Sequence, residues 1–266
     1  RRFMEGKKPL LALRASIKGT EDPYFGEERT GNYDRHAWTE MVELGWTALA
    51  VPEAAGGVGM NLVSAIAVAE EVGRASMPTP LTSTLQSTFA LRESEMASAM
   101  SWLSKISEGT SMTMATYGHE NSLEIDSSDV TAVNGILNGT SWYVQDLQKT
   151  DSLLIAASDE GVLKLYCVDI NTKGIDLAFD KIVDLTRDQG RVTFDNVAAE
   201  CVSEDAAKTM KKAMPALLTL VSADIAGGCE WLLQATADYA KVRTQFDRPI
   251  GFFQAVKHPI VNMMIL

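Results

Sequence analysis

A group of side chains suited to binding an anion and a flat ring stands near the end of the 266-residue sequence. The group consists of Arg243, Gln245 and Phe246, with Gln254 a short distance further on. A guanidinium binds phosphate oxygens through two parallel hydrogen bonds, a Gln amide adds a neutral donor, and a Phe ring lies against flat groups. These residues therefore indicate a phosphate site. The alternative is a helix end whose basic side chains only complement the helix dipole.

Two predicted helices position this group. Apolar residues recur at steps of three and four up to Val242, which predicts one long helix leading into Arg243. The apolar positions are Leu218, Val221, Ile225, Gly228, Leu232, Ala235, Tyr239 and Val242. Pro249 and Gly251 are expected to break the helix, and a second amphipathic helix is expected to begin near Phe252.

Composition excludes several classes of function. The formal net charge of −11 leaves no basic stripe for displacing phosphate counterions, so we expect no nucleic-acid partner. The three cysteines and three histidines are scattered without metal-ligand spacing, so we expect no metal site. We also expect no membrane span and no signal peptide, which makes the cytoplasm the expected location.

The order of predicted elements indicates an α+β multidomain fold. Asp34 is a helix cap, Gly45 is a helix stop, and further helical patterns continue up to Gly109. From Met112 the pattern changes to short β-rich runs, with Asn-Gly turn signals at 134–135 and 138–139. We predict an N-terminal helical domain (1–111), a middle small β-barrel (112–205) and a C-terminal helical bundle that begins in this chain (206–266).

The motif around Arg243 resembles the acyl-CoA dehydrogenase family, whose C-terminal domain carries Tyr, Arg-x-Gln-Phe, Pro-Ile, Phe-Gln and then Lys or Gln. The matching residues are Tyr239, Arg243, Gln245, Phe246, Pro249, Ile250, Phe253, Gln254 and Lys257. The resemblance implies the order helix, sheet, helix and FAD as cofactor. It also implies that Arg243 and Gln245 reach the pyrophosphate of an FAD bound mainly by a neighbouring subunit. The motif departs at Asp247, where the family usually has Gly.

The resemblance also implies that two segments of the β-domain hold the flavin ring. In the family, one is a Thr-Glu-Pro…Gly-Ser-Asp loop, of which this sequence keeps Thr116 in Thr116–Ser122. The other is Trp-Ile-Thr/Ser, which aligns with Tyr143–Gln145, so an aromatic is kept and Gln145 offers an amide that donates to a flavin carbonyl. The alternative is that Thr116 and Tyr143 are ordinary sheet residues.

The reaction that the resemblance implies needs a carboxylate base for the proton α to the thioester. In a minority of family members this Glu lies on the long helix, at the position of Val221, with an Arg common at Ser222. The nearest acids, Asp224 and Glu230, do not match, so we nominate no catalytic residue. The base is expected beyond Leu266 or in a partner, and the apolar chain end predicts that the bundle is completed by further helices.

Two functions follow from the resemblance. The first is a flavoprotein subunit that oxidises an acyl-CoA to the 2,3-enoyl-CoA and passes electrons to an electron-transfer flavoprotein. The second is a non-catalytic subunit that completes a partner's FAD site. Both imply a homo- or hetero-oligomer, dimer or tetramer. Arg187 is a candidate for a CoA phosphate, or alternatively an exposed loop residue.

Overall fold

The computed structural model describes residues 1–16, 33–120, 127–184 and 186–265. The helices are α1 (Arg2–Lys7), α2 (Pro9–Ser16), α3 (Arg35–Glu43), α4 (Leu62–Ala75), α5 (Leu81–Arg92), α6 (Ala97–Ser107), α7 (Ala206–Val242) and α8 (Gln254–Ile265), with 3-10 turns at Glu53–Ala55 and Ile250–Phe252. The strands are β1 (Met112–Ala115), β2 (Val130–Val133), β3 (Ile136–Gln145), β4 (Ser152–Asp159), β5 (Val162–Asp169), β6 (Ile175–Phe179), β7 (Gln189–Ala198), β8 (Glu200–Ser203), β9 (Thr244–Gln245) and β10 (Arg248–Pro249). The α+β prediction is confirmed.

The N-terminal helices pack around α5, which is buried along nearly its whole length. The cap at the start of α3 is confirmed, because the Asp34 carboxylate accepts hydrogen bonds from the backbone N–H groups of His36 and Ala37. Helix α4 ends at Ala75, where Ser76 adopts the left-handed conformation of a C-cap.

The strands β1 to β8 form one sheet in the order β6-β7-β3-β2-β4-β5-β8, with β1 parallel to the first half of β4. Alternate residues of β4 serve two cores, as the strand period of two requires. Leu153 and Ile155 point into an apolar core within the sheet. Leu154 and Ala156 point into a core shared with the helices. The sheet therefore has its own interior and a second face that holds the helical layer.

One of the two predicted Asn-Gly turns is confirmed. Asn134 and Gly135 both have positive φ, 50° and 77°, and connect β2 to β3 as a two-residue hairpin. The prediction at Asn138–Gly139 is wrong, because both residues lie inside β3, where the pairing with β7 shifts register.

Helix α7 is continuous for 37 residues and ends at Val242, before the predicted break at Pro249. Its buried face carries Met210, Ala213, Leu217, Leu220 and Ala223. The apolar residues identified in the sequence form the opposite face. We call Leu218, Val221, Ile225, Leu232, Tyr239 and Val242 the apolar stripe, and each of them is at least 40% exposed.

Helix α7 bears on the expectation that the chain has no membrane span. By length and composition it is apolar enough to cross a membrane. One such helix is weak evidence, and α7 packs by its buried face against α4 and α5.

Helices α4 and α7 cross closely at two glycines. A Cβ atom at Gly73 would overlap the backbone carbonyl of Asp224, and one at Gly227 would overlap the carbonyl oxygen of Glu70. Arg74, next to Gly73, pairs with Glu70 and Glu71 on its own helix and with Glu230 on α7. Gly73 and Arg74 thus lie inside α4 and form its contact with α7.

We expect the Gly227→Ala substitution to destabilise the protein by about 1–3 kcal/mol, because α7 must move away from α4 to admit the methyl group. Gly228→Ala is the matched control on the same helix, since its Cβ would lie 3.8 Å from the nearest atom, the Gly73 carbonyl oxygen. That change should stabilise by up to about 1 kcal/mol through helix propensity. Urea unfolding of both variants measures the difference. Equal effects would contradict the close crossing.

Candidate functional site

A cleft lies where α5, β1, the end of β3 and α7 meet. Its volume is about 150 Å³, below the roughly 300–1,000 Å³ of small-molecule sites, so it encloses only part of a ligand. It is lined by Ser83, Gln86, Thr113, Met114, Thr116, Tyr117, Tyr143, Gln145, Met210, Met214, Leu217, Leu218 and Val221. We call it the flavin-edge cleft, because its lining includes Thr116, Tyr143 and Gln145, the residues that the family resemblance assigns to the flavin ring. Its described lining contains no carboxylate.

The structure brings Thr116, Tyr143 and Gln145 together at this cleft. The backbone N–H of Trp142 donates to the carbonyl oxygen of Tyr117 at 3.0 Å, which places the segment after β1 beside the end of β3. The Tyr143 hydroxyl donates to the carbonyl oxygen of His119 at 3.2 Å. The predicted loop continues through Asn121 and Ser122, which lie outside the described residues.

The backbone and hydrogen bonding at this cleft are unusual. Tyr143 has φ 56°, a left-handed conformation that is rare for a bulky residue and is concentrated at functional sites. The Thr116 hydroxyl is buried, and it has no hydrogen-bond partner among the described residues. A buried hydroxyl of this kind normally has a partner. Thr116 is therefore ready to bond a ligand in the cleft.

A second, more polar cleft adjoins the first. It has a volume of about 210 Å³ and is lined by Thr82, Ser83, Gln86, Gln145, Asp146, Ile182, Arg187, Asp188, Gln189, Val221 and Asp224. We call it the polar cleft. Ser83, Gln86, Gln145 and Val221 line both clefts, so the two clefts are adjacent.

A buried ionic network supports the loop that follows Gln145. The ammonium of Lys149, whose side chain is 2% exposed, lies 2.8 Å from an Asp146 oxygen and 2.6 Å from an Asp188 oxygen. The ammonium also donates a hydrogen bond to the carbonyl oxygen of Thr186 at 3.2 Å. The second Asp146 oxygen accepts from the Ser83 hydroxyl at 2.5 Å, which ties the loop to α5.

Electrostatics keep this network charged. Burial disfavours the Lys149 cation, but attraction by Asp146 and Asp188 outweighs burial, so the pKa of Lys149 is raised. Arg187 donates to an Asp224 oxygen at 2.6 Å. Burial again opposes the cation, and Asp146 and Asp224 outweigh it, so the pKa of Arg187 is raised. The alternative that Arg187 is an exposed loop residue is therefore wrong, because it is held by α7.

The predicted phosphate-binding residues lie apart from both clefts. β9 and β10 form a two-residue hairpin around Phe246 and Asp247, whose φ angles are 52° and 60°. Asp247 thus adopts the left-handed conformation that suits the glycine usual in the family. We call residues 243–254, which connect α7 to α8, the hinge. Arg243, Gln245 and Gln254 are exposed on the hinge, and Phe246 is 84% exposed. The structure therefore places the predicted site residues in two groups, at the flavin-edge cleft and at the hinge.

The structure also shows where the positions considered for a catalytic base lie. Val221 lines both clefts, so the place where some family members carry Glu holds an apolar side chain. Ser222 is exposed and bonds its own helix, donating to the Leu218 carbonyl oxygen. Glu230 pairs with Arg74 on the far side of α7, and Asp224 pairs with Arg187. No described acid is free at the flavin-edge cleft.

Sequence reasoning did not identify Ser83, Gln86, Met210 or Met214 as lining residues. The available signal was the row of hydroxyl residues in α5, from Thr82 to Thr88, which are buried although they are polar. Buried polar residues on a core helix are the informative observation, because apolar residues are the default there.

Two family models match this chain. "Acyl-CoA dehydrogenase, N-terminal domain" matches residues 14–116, and "Acyl-CoA dehydrogenase, C-terminal domain" matches residues 199–266. Together they cover more than half of the sequence and lie on either side of the sheet. The chain belongs to the acyl-CoA dehydrogenase family.

Individual relatives agree with this assignment. Acyl-CoA dehydrogenase FadE34 of Mycobacterium tuberculosis is 29% identical over 257 residues, which cover 94% of this chain and 32% of FadE34. Acyl-CoA dehydrogenase IpdE2 of the same organism is 28% identical over 88% of this chain and 62% of its own length. A solved Tcur3481-Tcur3483 steroid ACAD variant superposes with TM-score 0.82 at 26% identity, over 99% of this chain and 70% of that one. This chain thus spans about one third to two thirds of the first curated relatives.

FAD is the cofactor of this acyl-CoA dehydrogenase chain, and the flavin-edge cleft fits part of it. The flavin ring presents neutral carbonyl and nitrogen acceptors at its edge, and the cleft offers the uncharged Thr116 hydroxyl and Gln145 amide. The unpartnered Thr116 hydroxyl is the observation that supports this fit.

Removing the buried ammonium tests the ionic network. Lys149→Met leaves Asp146 and Asp188 without their cation, and we expect a loss of about 3–5 kcal/mol in the free energy of unfolding. Lys241→Met is the matched control, because Lys241 also pairs with an Asp three residues earlier, at 2.9 Å, but its side chain is 69% exposed. That change should cost roughly 0–1 kcal/mol.

The contribution of Lys149 to the free energy of unfolding depends on pH. Because folding raises the pKa of Lys149, its contribution is present below its ordinary value of 10.5 and is lost only as pH rises through the folded-state pKa. Urea unfolding at neutral pH compares the two variants. Similar losses for Lys149→Met and Lys241→Met would contradict the network.

Proposed function

We propose that this chain is a subunit of an FAD-dependent acyl-CoA dehydrogenase that converts an acyl-CoA thioester to the 2,3-enoyl-CoA. The observation that supports this function is the unpartnered Thr116 hydroxyl at a cleft that Tyr143 and Gln145 also line. FAD, when bound, supplies the hydride acceptor of this reaction. The Thr116 hydroxyl and the Gln145 amide would donate hydrogen bonds to the flavin ring, and Tyr143 would help to hold it in the cleft.

The apolar part of the cleft suits the acyl group. Met210, Met214, Leu217 and Leu218 of α7 form an apolar wall opposite the polar residues of β1 and β3. Such a wall excludes water from the reacting carbons, and Met side chains adapt to irregular ligand shapes. The carboxylate base comes from outside the described residues, because Val221 occupies the one position on α7 where the family offers it.

In this proposal the hinge binds the pyrophosphate of FAD. Arg243 and Gln245 are exposed and apart from the flavin-edge cleft, which agrees with their contacting an FAD whose ring lies in a neighbouring subunit. The enzyme is then an oligomer, a dimer or tetramer, with electron-transfer flavoprotein as acceptor. We place it in the cytoplasm.

A second function has one observation in its favour. The described lining of the flavin-edge cleft holds no carboxylate, so the chain also suits a non-catalytic subunit that lends Arg243 and Gln245 to a partner's FAD. The similar solved structure, a Tcur3481-Tcur3483 steroid ACAD variant, names two proteins, which supports a heteromeric assembly.

Two substitutions, Thr116→Val and Arg243→Ala, together distinguish the two functions. In the flavin-loaded full-length protein, co-purified with its partners, we expect Thr116→Val to raise the dissociation constant for FAD about three- to tenfold, because one buried hydrogen bond is lost. Anaerobic bleaching of the flavin absorbance by acyl-CoA should fall in parallel with FAD content. Thr131→Val, an exposed Thr on β2, is the control and should change neither quantity.

The outcomes differ clearly. If Arg243→Ala lowers FAD content while Thr116→Val has no effect, this chain only completes a partner's site. If acyl-CoA bleaches no flavin in the wild-type complex, the dehydrogenase function is wrong.

A further inference from the structure

The polar cleft contains hydrogen-bond donors that the described protein does not satisfy. Thr82 is 9% exposed, and its hydroxyl has no partner among the described residues. The same holds for one terminal nitrogen of Arg187, Nη1, whose sister nitrogen bonds Asp224. Unsatisfied buried donors are rare in folded proteins and are expected to meet water or a ligand. Here the residues that carry two of them, on α5 and before β7, line the same space together with Asp188, whose Oδ2 is a buried acceptor without a hydrogen bond among the described residues beyond its ion pair with Lys149.

The position of the polar cleft relates it to the substrate. It shares Ser83, Gln86, Gln145 and Val221 with the flavin-edge cleft, so it lies directly beside the space that an acyl group next to the flavin edge would occupy. An unsubstituted hydrocarbon chain placed there would leave the Thr82 and Arg187 donors without partners and would remove their water. An acyl group with an oxygen at that depth would satisfy them.

The charged residues around the polar cleft favour a neutral oxygen over a carboxylate. The charged residues of the lining are Asp146, Arg187, Asp188 and Asp224, and Lys149 outside the lining pairs with Asp146 and Asp188. Two cations thus stand against three carboxylates, from the loop after β3, the segment before β7 and helix α7. An added carboxylate would be repelled by this excess of negative charge, whereas a ketone or hydroxyl oxygen accepts from Arg187 Nη1 and from Thr82 without that cost.

We propose that the polar cleft binds a neutral oxygen, a ketone or a hydroxyl, carried by the acyl group of the substrate, so that the chain selects oxo- or hydroxyacyl-CoA thioesters over plain fatty acyl-CoA. This inference rests on the proposed dehydrogenase function and adds the substrate class to it. Thr82 and Arg187 are then its specificity-determining residues.

Matched thioesters test the inference by binding. The flavin-loaded full-length complex is titrated calorimetrically with a saturated straight-chain acyl-CoA, with oxo isomers in which the ketone moves along the same chain, and with the ω-carboxylate of that chain. We expect the best oxo isomer to bind at least roughly tenfold more tightly than the unsubstituted ester, as a hydrogen bond to a charged donor provides.

A substitution shows whether Thr82 causes the preference. Thr82→Val keeps the side-chain shape and removes the hydroxyl, and it should lower the oxo-to-unsubstituted affinity ratio about three- to tenfold. Thr131→Val is the control and should leave the ratio unchanged. Equal lowering of both affinities by Thr82→Val would assign the residue a purely structural role and overturn the inference.

The remaining outcomes are also decisive. If the unsubstituted ester binds as tightly as every oxo isomer, the polar cleft does not recognise an oxygen of the acyl group. The inference is then wrong, while the proposed function stands. If the ω-carboxylate binds most tightly, the neutral-oxygen assignment is wrong. If none of the thioesters binds the flavin-loaded complex, the proposed function fails and the substrate class fails with it.

Discussion

The close crossing of α4 and α7 is the constraint on which the site depends. Because Gly73 and Gly227 carry no side chains, the two helix backbones meet directly, and the Asp224 carbonyl sits against α4. The Asp224 side chain, at the same level of the helix, then reaches Arg187, and Val221 one turn earlier lines both clefts. A wider crossing would move this wall of the site away from the sheet. The position of α7 is therefore part of the chemistry as well as of the packing.

Charge and polarity divide the site into two regions with different tasks. The flavin-edge cleft is uncharged in its described lining, which suits a neutral ring and an acyl chain in a dry space. The ions are gathered at its border, where Lys149 joins Asp146 to Asp188 and thereby fixes the loop that follows Gln145. Burying these groups costs free energy, and their mutual attraction and hydrogen bonds offset that cost only when all are present. The network acts as a rigid support beside the cleft.

The sequence predicted the order of elements and part of the site because those signals are local. The cap at Asp34, the hairpin at Asn134 and the change to strands at Met112 depend on neighbouring residues, and each has the expected structure. Contacts between distant segments were not predictable in the same way. The apolar pattern of α7 indicated a helix correctly, but most of its large residues are exposed, because the helix packs through a different set that includes Leu217, Leu220 and Gly227. The role of Arg187 depends on Asp224, a residue far away in the sequence.

The central claim is that the sheet of this acyl-CoA dehydrogenase chain itself holds the flavin ring. The most direct measurement is the visible absorption spectrum of the purified protein, recorded alone and after co-expression with its genomic neighbours. The account predicts flavin bands in near-stoichiometric amount to this chain in at least one of the two preparations, and it predicts that Thr116→Val weakens those bands. Absence of flavin bands from both preparations, or bands that Thr116→Val leaves unchanged, would contradict it.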